Sequence, residues 1–111
     1  HALIPVQTEA AALFGLTQTL DVLAEAEDMG ARVQLIGVVP TLYDGRRRLD
    51  ADVLIQLVER FGELVADPIR RTVTLAEALG AGVPVHIHAP GSPGAEDYGR
   101  LAGWLLRQEV R

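Results

Sequence analysis

The stretch VQLIGVV at residues 33–39 decides the fold class, because it is apolar and largely β-branched, with Gln34 as its one strongly polar member. Such a nearly continuous apolar run is typical of a parallel strand that is covered on both faces. A shorter apolar run, Leu3 to Val6, precedes it and contains Pro5. Because proline cannot donate to a sheet ladder, Pro5 places this first strand at a strand end or at a sheet edge.

Two helical patterns follow these strands. Thr8 is the predicted N-cap of a first helix that runs to about Asp28 and ends at Gly30. Asp50 is the predicted cap of the second helix. The apolar positions at helical spacing are Leu13, Leu16, Leu20 and Leu23 in the first helix, and Val53, Leu54, Leu57, Val58 and Phe61 in the second.

The remaining sequence predicts two more strands, Leu64 to Ile69 and Val83 to Ile87. Between them, Thr74 to Glu77 fits a capping box that opens a short helix, which stops at Gly80 or Gly82. The patterns together predict one α/β unit over residues 1–111, with a mainly parallel sheet of about four strands and flanking helices.

A last helix is predicted to begin with Ser92 as its N-cap and Pro93 at its first position. The residues that it is predicted to bury are Tyr98, Leu101, Ala102, Leu105 and Leu106.

The composition excludes several kinds of chemistry. The chain has 111 residues, no Cys and no Lys, and a formal net charge of −5. Without Cys there are no disulfides or thiolate ligands, and without Lys these residues offer neither Schiff-base chemistry nor a P-loop lysine. The acidic balance argues against a nucleic-acid coat protein and against a membrane-surface module.

Two small groups of polar residues favour structural interpretations. His86 and His88 alternate along the predicted fourth strand, as half of a zinc site would, but no further ligand follows at a suitable spacing. Asp44 and Asp50 could form an acid–base pair, yet a turn at Asp44-Gly45 and a helix cap at Asp50 account for both. We therefore predict no catalytic residue and no metal site.

Arginine placement is more informative. Arg46, Arg47 and Arg48 lie in one loop, and Arg70 and Arg71 lie in another. If the sheet is parallel, both loops follow strands and emerge at its carboxyl edge, where open α/β sheets bind ligands. Such an edge would attract phosphate groups, whereas the alternative interpretation is a solvated run of charge.

Four segments resemble the ParA/Soj-type partitioning ATPases of the ParA/MinD superfamily, in the same order along the chain. Ile4 to Glu9 resembles the segment after the family's Walker B motif, and Gly37 to Arg46 is similar to its strand and Thr-Met-x-Asp-x-Arg loop. Leu75 to Ala78 resembles a Leu-x-Glu-Ala segment, and Pro90 to Tyr98 resembles the C-terminal signature. The resemblance implies the C-terminal half of a deviant-Walker P-loop ATPase, with the P-loop half absent.

The same resemblance implies roles for individual residues. Thr41 and Asp44 match a loop beside the adenine, and Arg71 matches an arginine close to the base, so these three are the expected nucleotide-binding residues. The expected DNA-binding residues are Arg46, Arg47, Arg48, Arg70 and Arg71.

The implied function is chromosome or plasmid partitioning in the cytoplasm, on the nucleoid. The family binds ATP and Mg²⁺, forms ATP-dependent homodimers, contacts DNA without sequence preference and responds to a ParB-like protein. We expect no cofactor and no ATP hydrolysis for this chain alone, which lacks Walker A and Walker B, and no membrane partner. The alternative is a non-catalytic interaction or dimerisation module with the same fold.

Overall fold

Two parallel strands lie at the centre of the structure, a computed structural model that describes residues 1–108. Strand β1 (Ala2–Gln7) pairs with β2 (Leu35–Thr41), and helix α1 (Ala12–Asp28) forms the crossover between them. The parallel pairing confirms what the VQLIGVV stretch predicts, although β2 begins at Leu35.

The position of Pro5 in β1 is also as predicted. The N–H of Thr8 donates to the carbonyl of Thr41 at 3.3 Å, so the even-numbered residues of β1 direct their N–H groups toward β2. Pro5 is odd-numbered, and its missing N–H therefore falls on the outer edge of the strand, where no ladder bond to β2 is lost.

Within residues 1–108, four helices follow β2. Helix α2 (Arg48–Phe61) continues into a 3₁₀ turn (Gly62–Leu64), and the later helices are α3 (Val73–Ala81), α4 (Val85–His88) and α5 (Pro93–Arg107). No helix within residues 1–108 is long and apolar enough to cross a bilayer.

Both faces of β2 are covered, as its apolar sequence predicts. On one face Val38 packs in a cluster with Leu16 of α1 and Leu57 of α2. On the other face Val39 packs with Ile69, and Trp104 of α5 lies against this second cluster. The apolar positions predicted for α1 all take part in the first cluster, since Leu16 is buried there and Leu13, Leu20 and Leu23 pack against it.

Of the predicted third strand, Leu64 to Ile69, Leu64 ends the 3₁₀ turn, and residues 65–69 form an extended segment that makes only irregular bonds to β2. The N–H of Ala66 donates to the carbonyl of Val38 at 2.9 Å, and the N–H of Ile69 donates to that of Pro40 at 2.8 Å. Pro40 has no N–H to donate in return on this side. A regular ladder therefore does not form, although the segment runs parallel to β2.

The predicted fourth strand, Val83 to Ile87, is wrong, because these residues lead into the short helix α4. The carbonyl of Pro84 accepts the N–H groups of Ile87 at 3.0 Å and of His88 at 2.9 Å. Proline suits a helix start and cannot donate to a ladder, so the backbone here is satisfied locally. The described residues thus contain two regular strands rather than about four.

Three predicted helix boundaries are confirmed. The hydroxyl of Ser92 accepts the N–H of Ala95 at 3.3 Å, and Pro93 is the first residue of α5. Gly82 ends α3 in the left-handed region with φ of 70°, and Gly30 follows α1 with φ of 97°. Glycine adopts this conformation without a steric cost.

Three other predicted caps are wrong. Helix α3 is capped by Thr72, whose hydroxyl accepts the N–H of Leu75 at 3.3 Å, and not by Thr74. Thr8 and Asp50 do not cap α1 and α2, because their side chains bond to each other over 42 residues of sequence. A long-range bond between two polar side chains replaces two local ones.

The predicted buried face of α5 is partly wrong. Leu101 and Trp104 pack against the second cluster, but Tyr98, Ala102 and Leu106 are exposed. Its buried residues are Gly94, Ala95 and Asp97, in the first half of the helix. In α2, Val58 is likewise exposed, whereas Val53 and Leu57 are buried.

Candidate functional site

The site lies at the carboxyl ends of β1 and β2, where two loops run side by side. The N–H of Tyr43 donates to the carbonyl of Ile69 at 3.0 Å, and the N–H of Arg71 donates to the carbonyl of Tyr43 at 2.9 Å. We call this region, residues 41–48 together with residues 69–72, the carboxyl edge. The structure therefore brings the two arginine-bearing loops together.

Asp50 fastens one of these loops to the end of β1. Its side chain is fully buried, and Oδ2 accepts the Thr8 hydroxyl at 3.0 Å and the N–H of Asp44 at 2.9 Å. Oδ1 has no hydrogen-bond partner among the described residues, and the Arg47 Nε lies 3.5 Å from it. The backbone N–H of Asp44, above all, keeps the pKa of Asp50 below its ordinary value, although burial opposes this.

Asp44 forms a compact turn with Arg46. Its Oδ1 accepts the backbone N–H of Arg46 at 3.0 Å and Nε at 3.1 Å, and Oδ2 accepts Nη2 at 3.2 Å. The side-chain hydrogen bonds from Arg46, followed by the backbone one, lower the pKa of Asp44. The turn predicted at Asp44-Gly45 is present, and its carboxylate is engaged by Arg46.

Arg70 is tied to helix α5. Asp97 is buried and accepts the backbone N–H of Arg70 at 2.9 Å and its Nη2 at 2.9 Å. Arg100 also reaches Asp97, with Nη1 3.4 Å from Oδ1. Burial raises the pKa of Asp97, but the hydrogen bonds from Arg70 and the charges of Arg70 and Arg100 outweigh it, so the net change is downward.

Arg48 and Arg71 are held less firmly. Arg48 Nε lies 4.0 Å from Asp52, and both side chains are largely in solvent, so the pair contributes little. Arg71 has no carboxylate within 4.0 Å among the described residues. These two arginines are the most available cations of the carboxyl edge.

A cavity of about 570 Å³ opens beside the two loops, with mostly apolar walls from Ile69, Leu75 and Leu79. Of the three residues predicted to bind a nucleotide, Thr41 and Arg71 line this cavity and Asp44 does not. A smaller polar cavity of about 90 Å³ lies between Thr8, Glu9, Leu42, Arg47 and Arg71.

Several residues of this region are not evident from the sequence. Leu42 adopts φ of 52°, a conformation that costs a non-glycine residue about 1–2 kcal/mol. Thr72 and Tyr98 line the larger cavity, and Asp97 holds Arg70. Among these, Asp97 and Tyr98 lie in the segment Pro90 to Tyr98, whose resemblance to a family signature marks them, but the sequence does not indicate that Asp97 pairs with Arg70.

The histidines do not form a metal site. In α4, His86 and His88 are two residues apart, which turns their side chains about 200° from one another. His88 Nε2 lies 3.6 Å from a carboxylate oxygen of Glu77. Within residues 1–108, no group of three or more His, Asp or Glu could hold a metal ion.

The fold and the site define the class of protein. It is a parallel α/β protein, and in such proteins ligands bind at the carboxyl edge of the sheet. Comparison with known proteins then shows which proteins the chain is similar to. The chain is 45% identical over 101 residues to the chromosome-partitioning ATPase Soj of Thermus thermophilus, which covers 89% of this chain and 41% of that protein.

Two further relatives agree. Identity is 33% over 108 residues with the chromosome partitioning protein ParA of Caulobacter vibrioides, covering 96% of this chain and 40% of that protein. Identity is 34% over 108 residues with the chromosome-partitioning ATPase Soj of Treponema pallidum, covering 96% of this chain and 43% of that protein. No family model matches the chain.

The chain is therefore a homologue of the Soj/ParA chromosome-partitioning ATPases along nearly its own length, as its sequence resemblance predicts. It spans less than half the length of the curated relatives that it matches.

Proposed function

We propose that this chain is the part of a chromosome-partitioning ATPase that closes the base side of the nucleotide site and presents an edge to DNA. One observation carries the proposal. Two arginine-bearing loops and a mostly apolar cavity converge at one edge of a parallel sheet, in a homologue of Soj and ParA.

The size and lining of the larger cavity support its assignment to the base of a nucleotide. Its volume of about 570 Å³ is in the range of small-molecule sites, which combine apolar walls with a few polar groups. Ile69 and Leu75 supply flat apolar surface, and Thr41, Arg71 and Thr72 supply polar atoms. Asp44 contributes indirectly, since its carboxylate fixes the turn that follows Thr41.

The phosphates and Mg²⁺ of ATP belong to another part of the whole protein in this proposal. ATP supplies the phosphoanhydride bond that a partitioning ATPase hydrolyses. The present chain has no lysine to grip the phosphates. Its own residues bind and orient the base, and no chemical step is assigned to them.

The DNA contact is assigned to the arginines of the carboxyl edge. Arg46, Arg48 and Arg71 offer guanidinium groups to phosphate oxygens, which gives affinity without sequence preference, whereas Arg47 lies beside the buried Asp50 and contributes little. Arg70 shares the same edge, but Asp97 holds it, so its contribution is the smallest. By the same homology, we propose a homodimeric ATP-bound state, a ParB-like partner and association with the nucleoid for the whole protein.

Salt-dependent DNA binding tests the proposal. We expect the double variant Arg48→Ala with Arg71→Ala to weaken binding of a random-sequence duplex, because two phosphate contacts are lost. The slope of log affinity against log salt should fall by about 0.9 per contact removed. Fluorescence anisotropy over about 50–200 mM salt measures both quantities.

The double variant Arg32→Ala with Arg107→Ala is the matched control, because it also removes two charges: Arg32 is exposed near the start of β2, at the opposite end of the sheet, and Arg107 is exposed in the last turn of α5. The proposal fails if the double variant of Arg48 and Arg71 binds DNA as tightly as the control at every salt concentration.

A further inference from the structure

The arginines of the carboxyl edge are largely neutralised by carboxylates of the same chain. Asp44 holds Arg46, Asp50 lies beside Arg47, and Asp52 lies beside Arg48. Each pair is local in sequence, with its two members two to four residues apart. The edge is therefore less positive than its count of arginines indicates.

We propose that these carboxylates mask the edge, so that a polyanion must displace Asp44 from Arg46 in order to bind fully. Arg71 and Arg48 engage phosphates first, and Arg46 engages them only in exchange for its carboxylate. This inference rests on the proposed DNA-binding function and adds its regulation.

Arg46 shows how the exchange works. Its guanidinium is held by two hydrogen bonds, at 3.1 Å and 3.2 Å, yet its side chain is 91% exposed. A guanidinium has five N–H donors, so several remain directed to solvent while Asp44 is bound. A phosphate can approach these free donors before Asp44 leaves.

Arg47 is masked in a different way. The buried Oδ1 of Asp50 has no hydrogen-bond partner among the described residues, and the charge of Arg47, 3.5 Å away, compensates it. If Arg47 swung toward a phosphate, it would leave a buried carboxylate oxygen uncompensated, which is costly. Arg47 therefore stays with Asp50 and adds little to polyanion binding.

The remaining arginines set the order of engagement. The pair between Arg48 and Asp52 spans 4.0 Å between exposed side chains and is worth little. Arg71 has no carboxylate within 4.0 Å among residues 1–108. Wild-type binding should thus report about two phosphate contacts, from Arg48 and Arg71, rather than five.

The test uses the full chain with two polyanions, heparin and a random-sequence duplex DNA, at several salt concentrations. Asp44→Asn removes the masking charge but keeps an oxygen for the backbone N–H of Arg46. We expect it to raise the affinity for both polyanions about two- to fivefold, the range that a surface ion pair is worth. The salt slope should steepen by about one contact.

Two other substitutions complete the test. Asp52→Asn should raise affinity less, because its pair with Arg48 is already weak. Asp28→Asn, at the far end of α1, changes the net charge equally and away from the edge. If a thermal melt shows that the Asp44→Asn variant is unfolded, Asp44→Ser takes its place. The serine hydroxyl can also accept the N–H of Arg46.

The comparison of heparin with duplex DNA distinguishes masking by the carboxylates from the proposed DNA-binding function. Equal effects of Asp44→Asn and Asp28→Asn would overturn the masking, since net charge alone would then explain them. Masking would stand and DNA binding would fail if heparin followed the expected pattern while duplex DNA did not bind. If no form of the chain bound either polyanion, both would be overturned.

Discussion

Asp97 is the residue on which the geometry of the second arginine loop depends. It is buried in α5 and accepts hydrogen bonds from the backbone and side chain of Arg70 and from Arg100. These bonds connect the last helix to the segment beside β2. Arg70 is thus a structural residue first, even though it lies on the proposed DNA-binding edge.

We expect Asp97→Asn to lower the free energy of unfolding by about 2 kcal/mol near neutral pH, because hydrogen bonds to a charged group are weakened. The pKa of Asp97 is lowered in the folded state from an ordinary value of 3.8. Its stabilising effect is therefore complete above that value and is lost as the pH falls through the folded pKa.

Urea unfolding of the wild type and Asp97→Asn from about pH 3 to pH 7 measures this difference. It should be constant above about pH 5 and should shrink below about pH 4. Asp67→Asn is the matched control, since Asp67 is exposed in the same segment. A difference that stayed the same over the whole range would show that the charge of Asp97 is not what stabilises the fold.

At the scale of elements, α5 packs against β2 through one close approach. A Cβ atom added to Gly37 would lie 2.6 Å from Trp104 Cη2 and 2.9 Å from Leu3 Cδ1. Both distances are shorter than van der Waals contact allows. Gly37 therefore lets the indole of α5 lie directly on the backbone of β2.

Gly37→Ala should lower the free energy of unfolding by about 1–3 kcal/mol, because the indole must move. Gly80→Ala is the matched control. Gly80 lies inside α3, its added Cβ would have nothing within 4 Å, and alanine favours a helix by up to about 1 kcal/mol. Chemical denaturation of both variants checks the contrast, and equal stabilities would contradict this packing.

The sequence was a good guide to elements whose signals are local. The VQLIGVV run predicts a covered parallel strand, and Ser92 with Pro93 predicts the start of α5. The sequence-based prediction was wrong where a residue's hydrogen-bond partner lies far away in the sequence. Thr8 and Asp50 each have a local capping role in the sequence, and their mutual bond over 42 residues replaces it.

Two prolines reduce the number of regular strands, an effect that the pattern of apolar residues does not show. Pro40 lacks an N–H toward the neighbouring segment, and Pro84 starts a helical turn in a stretch that reads as a strand. In the site, parallel topology alone predicts that the two arginine loops meet. It does not predict which carboxylate pairs with each arginine, because ion pairs depend on side-chain positions that no spacing rule specifies.

At the scale of the whole molecule, the chain corresponds to less than half of its Soj and ParA relatives. We propose that it performs the base-side and DNA-edge roles of a partitioning ATPase. A chimera tests this directly. In it, the matching segment of Thermus thermophilus Soj is replaced by this chain, to which it is 45% identical.

The measurement is ATP hydrolysis by the purified chimera, with and without Arg71→Ala, beside the isolated chain. We predict that the chimera hydrolyses ATP within about tenfold of its parent, a barrier change of about 1.4 kcal/mol. Arg71→Ala should raise its KM for ATP, and the isolated chain should show no turnover. A folded chimera that did not hydrolyse ATP would contradict the proposed base-side role and would favour a non-catalytic interaction module.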